Sequence, residues 1–192
     1  MERLREGDRI LTAAGETKSI SWIGHRLLDC RRHAKPRDVW PVRVRAGAFG
    51  DAAPWRDLWL SPDHAVFVDG VLIPIKQLIN DISIEQVPVC EVRYYHVELA
   101  RHEVLLAEGL PCESYLDTGN RSNFSNGGGL VALHPDFSSL LREAEGCAPL
   151  IVTGPELDAV RQRVNALAAA VLARNAGEAG KQPPSIPQAG NS

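Results

Sequence analysis

Short runs of alternating apolar and polar residues dominate the first two thirds of the chain. Val42 and Val44 alternate with Arg43 and Arg45, and Val92, Tyr94 and His96 alternate with Arg93, Tyr95 and Val97. That is the period of strands with one face buried. Further strands are expected at 7–12, 58–60, 82–87 and 103–107, and over 17–29 with Ile20 and Trp22 on one face and Ser19 and Ser21 on the other. Residues 74–80 fit one helical turn opened by Pro74. The sharpest stretch is Ser61-Pro62-Asp63-His64-Ala65-Val66-Phe67-Val68-Asp69-Gly70, a turn, a histidine at the mouth of an apolar strand, and an Asp-Gly hairpin signal. The design returns at His102, where another short apolar strand ends on Glu108-Gly109. Short strands with turn signals between them predict an all-β architecture. Two hairpins of one design suggest a duplicated β-unit whose histidines converge on one site.

The pattern changes after Tyr115. Residues 1–125 read as the β-domain, 126–154 as a linker or loop in the wake of a Gly, Asn and Ser-rich stretch, and 155–175 as an amphipathic helix. Leu157, Val160, Val164, Leu167 and Val171 recur there at three- and four-residue steps, a narrow seam suited to docking on the β-domain or on a partner protein. Residues 176–192, with their prolines and no large aromatic, are expected to be a disordered tail.

Composition narrows the function. With 192 residues, 44% of them hydrophobic, the chain can bury a substantial core. A net charge of −3 argues against a nucleic-acid footprint, and the arginines at 26, 31, 32 and 37 read as a solvated face. No apolar run approaches a membrane span and the first residues lack the apolar stretch of a signal peptide, so a soluble piece with no membrane partner is expected, its compartment unspecified. Cys30, Cys90, Cys112 and Cys147 stand far apart and form neither a disulfide framework nor a zinc knuckle. Nothing calls for a metal or an organic cofactor. His25, Cys30 and His33 match no zinc spacing, and the surrounding arginines would repel a cation.

Ser61-Pro62-Asp63-His64 is the strongest chemical motif. A hydroxyl three residues before a histidine across a proline-shaped turn lets both side chains address one backbone amide, although the plainer reading, a capped turn at a strand start, also fits. His96 and His102 flank the second hairpin, and His96 reads equally as a residue filling a half-buried face.

Several longer runs resemble the Hint (Hedgehog/intein) self-processing domain, in particular its bacterial Hedgehog/intein-type group. They are Leu4-Arg5-Glu6-Gly7-Asp8-Arg9-Ile10-Leu11-Thr12, the stretch from Leu60 through Gly70 to Pro74, and Tyr94-Tyr95-His96-Val97-Glu98-Leu99 running on to Leu116-Asp117-Thr118-Gly119-Asn120-Arg121. The resemblance implies a compact β-horseshoe with an approximate internal two-fold. It also implies an N–S acyl shift, in which a cysteine or serine at the start of the domain attacks the preceding peptide carbonyl and the domain's own N-terminal segment is the substrate. On that pattern His64 protonates the departing nitrogen, Ser61 is its hydroxyl neighbour, His102 and His96 are second acid–base or orienting groups, and Ser114 stands where a Hedgehog-type cysteine would, leaving Cys112 a small buried hydrophobe. The family's attacking cysteine precedes the Gly7-Asp8-Arg9 strand, where this sequence has none, so the expectation is an N-terminally truncated domain, inactive as these residues stand. The competing expectation is a non-catalytic β-domain acting as an interaction module.

Overall fold

A computed structural model of the protein describes residues 1–128 and 135–179. Among the described residues, eleven short strands come first and two helices last. β1 (Arg9–Leu11) and β2 (Thr17–Ser19) form a small hairpin, and β3 (Trp22–Asp29) pairs along its full length with β9 (Glu91–Glu98), from Trp22 opposite Glu98 to Asp29 opposite Glu91. The strand expected over 17–29 is thus two strands, broken where Ile20 turns into the core and donates its N–H to the Asp8 carbonyl. β4 (Val42–Val44) lies between β5 (Leu58–Leu60) and β8 (Ile84–Gln86), with Val42 and Val44 fully buried on one face and Arg43 paired with Glu85 on the other.

The two look-alike hairpins share one antiparallel sheet. β6 (Ala65–Val68) and β7 (Val71–Pro74) form the first, β10 (Val104–Ala107) and β11 (Leu110–Glu113) the second, in the order β10-β11-β6-β7. Their turns are the same. Asp69 and Gly70 have φ of 52° and 85°, Glu108 and Gly109 of 52° and 80°, the left-handed pair that a two-residue hairpin turn demands. The helical turn expected after Pro74 is a single 3₁₀ turn at Ile75–Leu78.

The stretch read as a linker carries a helix. α1 (Pro135–Glu145) opens on a proline and closes with the Gly146 N–H on the Arg142 carbonyl. Phe137, Leu140 and Leu141 stand at three- and four-residue steps along it in the sequence, and Arg142 ties it to Glu113 of β11. Beyond it the backbone at 149–151 runs along β7, Leu72 donating to Pro149 and Ile151 donating to Leu72.

α2 (Pro155–Ala179) is longer than the expected 155–175 and takes in the first residues of the expected tail; residues 180–192 of that tail lie outside the described residues. An alanine-rich background propagates a helix past its last docked turn. Leu157, Val160 and Val164 are buried in one cluster with Val42, Val44, Ile73, Ile75 and Leu110, and Ala168 further along the helix is buried too. The first part of the expected seam therefore docks on the β-domain, whereas Leu167 is half-buried and Val171 is exposed. Arg161 fastens it by donating to the Gln77 carbonyl at 2.7 Å and to Gln77 Oε1 at 3.1 Å. Arg161→Ala is expected to cost about 1 kcal/mol, allowing for its partial exposure, read as a lower urea midpoint at unchanged m-value.

Candidate active site

The sheet brings together what the chain separates. β6 and β11 are neighbours with Val66 opposite Cys112, so the residues at the base of both hairpins face one another. His64, in the turn where its N–H donates to the Ser61 carbonyl at 3.0 Å, ends up beside His96 of β9, with ring centroids 5.7 Å apart. His96 is packed in turn against Tyr115 (5.9 Å) and Phe124 (5.0 Å), and Trp22 and Arg121 close that aromatic cluster from the other side. Burial pushes both imidazoles toward the neutral form. It holds the His64 pKa below its ordinary value against the pull of the Glu113 carboxylate, and with His64 nearby it takes His96 down to about 3. The ring resonances of His96 are accordingly expected to stay unmoved in an NMR titration from about pH 8 to about pH 5, where an ordinary histidine changes charge. A midpoint near the ordinary value would mean that the ring sits in water.

Two cavities meet at this histidine pair. The larger, about 590 Å³, is lined by Met1, Glu2 and Leu4 as well as by Ser61, His64 and His96. The smaller, about 140 Å³, holds Ser61, His64 and His96 again, with Asn120, Phe124 and Arg142. The chain's first residues and the Ser61–His64 turn thus line one cleft, with apolar walls from β5 and β10.

Glu113 is the hub that the sequence reading passed over. Its Oε1 accepts the N–H of Ala65, the residue after His64, at 2.9 Å. Its Oε2 accepts from Arg142 of α1 at 3.0 Å and lies 3.4 Å from His102 Nε2. Burial alone would raise its pKa, but His102, His64, Arg142 and the Ala65 N–H bring it down to about 2. A carboxylate in a strand whose neighbours Leu110 and Cys112 are buried was the available signal, since a charge in that setting needs partners.

His102 lies on the far side of Glu113, its side chain fully buried. The Cys147 N–H donates to its Nδ1 at 3.0 Å, which is the bonding of a neutral ring with its proton on Nε2, toward Glu113. Burial works against charge on this ring, while the Cys147 side chain and Glu113 favour it and place its pKa at about 9. Charging it means giving up the Cys147 N–H, so the drawn geometry is that of the proton acceptor. Ser114 is buried, and its hydroxyl oxygen accepts the Glu103 N–H at 2.9 Å, tying the base of the second hairpin. The structure thus gathers Ser61, His64 and His96 around one cleft, sets Ser114 on the wall of the smaller cavity with its hydroxyl on a backbone N–H, and places His102 behind Glu113. Cys112 is buried, and burial pushes its thiol pKa up, which keeps it protonated. Among the described residues no group of three His, Cys, Asp or Glu side chains is placed to hold a metal ion, and no helix is long and apolar enough to cross a membrane.

The fold is a mostly β domain in which a turn-borne histidine adjoins a second imidazole at a cleft. The family model of the Hint domain matches residues 1–119, and the chain belongs to the Hint domain family. No curated protein and no solved structure matches the chain.

Proposed function

We propose that this protein is the histidine-bearing body of a Hedgehog/intein-type self-processing domain that cleaves polypeptide joined ahead of its first residue. The observation that carries the reading is the shared cleft, in which Met1, Glu2 and Leu4 line the same space as Ser61, His64 and His96. A polypeptide arriving at residue 1 therefore arrives at the histidines. Residues 1–8 contain no cysteine, serine or threonine, so the reading places the attacking group upstream and expects no cleavage from these residues alone.

The chemistry follows from the protonation states. The upstream thiol or hydroxyl attacks the preceding carbonyl, forming a thioester or ester while the C–N bond breaks and the nitrogen leaves as an amine. A neutral His64 accepts the nucleophile's proton and delivers it to that nitrogen, and the Ser61 hydroxyl orients the amide across the turn. His96 packs against His64, whose neutral form is favoured by burial and by the neighbouring His102 and Arg142. His102 acts behind Glu113 as the second acid–base or orienting group, and Ser114 holds the hairpin base from which both are hung. The horseshoe and its approximate two-fold belong to this reading, supported by the repeated turn chemistry of the two hairpins.

The test is a reconstitution. A small reporter and a Cys-Phe-type opening segment are fused ahead of Glu2, and release is followed by mass spectrometry with and without an added thiol. Thiol-dependent release is the expected result, and a folded fusion that never releases the reporter overturns the reading.

A further inference from the structure

Two cysteines that the sequence holds apart meet at one end of the long β3–β9 pair. The two strands run in register from Trp22 opposite Glu98 to Asp29 opposite Glu91, and one step further the same register sets Cys30 opposite Cys90. A backbone hydrogen bond fixes that step, the Cys30 N–H donating to the Cys90 carbonyl at 2.9 Å. Residues directly opposite in an antiparallel pair carry their side chains on the same face. In a hydrogen-bonded pair their Cα atoms stand about 5.5 Å apart, inside the span of about 4.4–6.8 Å that a disulfide bridges. The pair also sits where the ribbon ends, so small adjustments there disturb no strand. Cys30 opens a 3₁₀ turn (Cys30–Arg32), and Cys90 follows Pro88 and Val89 ahead of β9. The two thiols differ in exposure, Cys30 being fully buried and Cys90 exposed. The Cys30 thiol rests against the Leu28 carbonyl at 3.9 Å, a weak contact that is given up at little loss.

We propose that Cys30 and Cys90 form a reversible disulfide, made by exchange with a low-molecular-weight disulfide such as oxidised glutathione. Exposure makes Cys90 the entry thiol, while burial hides the Cys30 sulfur from the oxidant and raises its pKa. The Cys90 thiolate attacks one sulfur of the glutathione disulfide, that S–S bond breaks, and one glutathione thiolate leaves. Cys30 then gives up its proton, its Sγ attacks the Cys90 sulfur of the mixed disulfide, and a second glutathione thiolate leaves. The two protein thiols lose two electrons, the glutathione disulfide gains them, and the two protons end on two molecules of glutathione. The cross-link closes a loop that contains β4 through β8 and the Ser61–His64 turn. It pins the ribbon at the end opposite Trp22 and Glu98. None of this depends on the self-processing reading.

The chain carries its own controls. Cys147 is exposed like Cys90, and Cys112 is buried like Cys30, but Cys112 lies opposite Leu105 and Val66 and Cys147 belongs to no strand. The full-length protein is incubated with oxidised glutathione, the remaining thiols are blocked with an alkylating agent, and the unreduced peptides are mapped by mass spectrometry. The expected product is an intrachain Cys30–Cys90 peptide, formed at least about tenfold faster than any bridge to Cys147, which is left as its mixed disulfide with glutathione. That preference is expected to vanish in urea, where the register is lost. In Cys30→Ser, Cys90 is expected to stop at the mixed disulfide. The cross-linked protein is expected to unfold at a higher urea midpoint than the reduced one, because the closed loop restricts the unfolded chain. A folded protein in which Cys90 keeps its glutathione while Cys30 stays reduced overturns the proposal. So does a bridge from Cys90 to Cys147, or to Cys90 of a second copy, that forms as fast as the bridge to Cys30. If Cys30→Ser does not fold, the peptide map of the unsubstituted protein decides alone.

Discussion

In the reporter fusion, His64→Ala is expected to slow release by about 10²–10⁴-fold, the usual contribution of a positioned acid–base group. The imidazole stands at the mouth of β6, fixed by the His64 N–H to the Ser61 carbonyl and by the Glu113 carboxylate on the next residue's N–H. Its removal leaves the departing nitrogen to take a proton from water. The fold should tolerate the change, because the core beneath is built from Ala65, Val66, Ile73 and Cys112 rather than from the ring. Circular dichroism separates loss of chemistry from loss of structure. Release at the unaltered rate in a folded His64→Ala fusion would remove this histidine from the reaction. The smaller effect expected of His96→Ala follows from its role, since a ring held down to about 3 carries no proton to give and acts through its neighbour.

The second large effect concerns Glu113. Replacing it by alanine strips Arg142, His102 and the Ala65 N–H of their common partner. Breaking a buried charge cluster by removing one member costs about 3–5 kcal/mol, so Glu113→Ala is expected to show a correspondingly lower urea midpoint, and Glu113→Gln, which keeps an oxygen for Ala65, a smaller loss. The pH dependence has a definite sign. The folded-state pKa of about 2 lies below the ordinary 4.5, so the stabilisation is complete above pH 4.5 and is lost as pH falls toward 2. Unfolding measured across that window should be flatter in Glu113→Gln than in the unsubstituted protein. Parallel acid limbs would show that Glu113 is not the ionised hub.

How far the sequence carried this picture depended on whether a signal was local. Asp69-Gly70 and Glu108-Gly109 announced their turns because only a few residue types accept the left-handed backbone there, and the Val42/Val44 alternation announced a strand with one buried face. The Ser61-to-His64 turn was legible for the same reason. Pairing was not. Nothing near Trp22 says that it will face Glu98, and nothing near Val66 says that Cys112 will lie opposite, yet those registers decide which histidines meet. α1 escaped notice although Phe137, Leu140 and Leu141 carry a short helical period, because the stretch around it is rich in loop residues; the Arg142–Glu113 contact, between residues 29 positions apart, leaves no local mark. Glu113 was passed over because its partners, Ala65, His102 and Arg142, come from three distant stretches of the chain. His102 was placed at the right hairpin base, but its neighbour Cys147 lies in a stretch that offered no pattern at all.

The Arg142–Glu113 pair and the backbone at 149–151 alongside β7 also bear on where this protein can be cut. The family match ends at 119, yet the main core counts Leu157, Val160 and Val164 among its members, and the carboxylate beneath His64 borrows its cation from α1. The stretch that matches the family is therefore shorter than the stretch that packs into one core. A fragment ending at the family boundary would keep every histidine discussed here and still uncover β7's outer edge, the apolar bed of α2 and half the charge balance of Glu113. Trimming for expression, or grafting the module onto another protein, has to carry the chain through at least Ala168, the last buried residue of the helix seam.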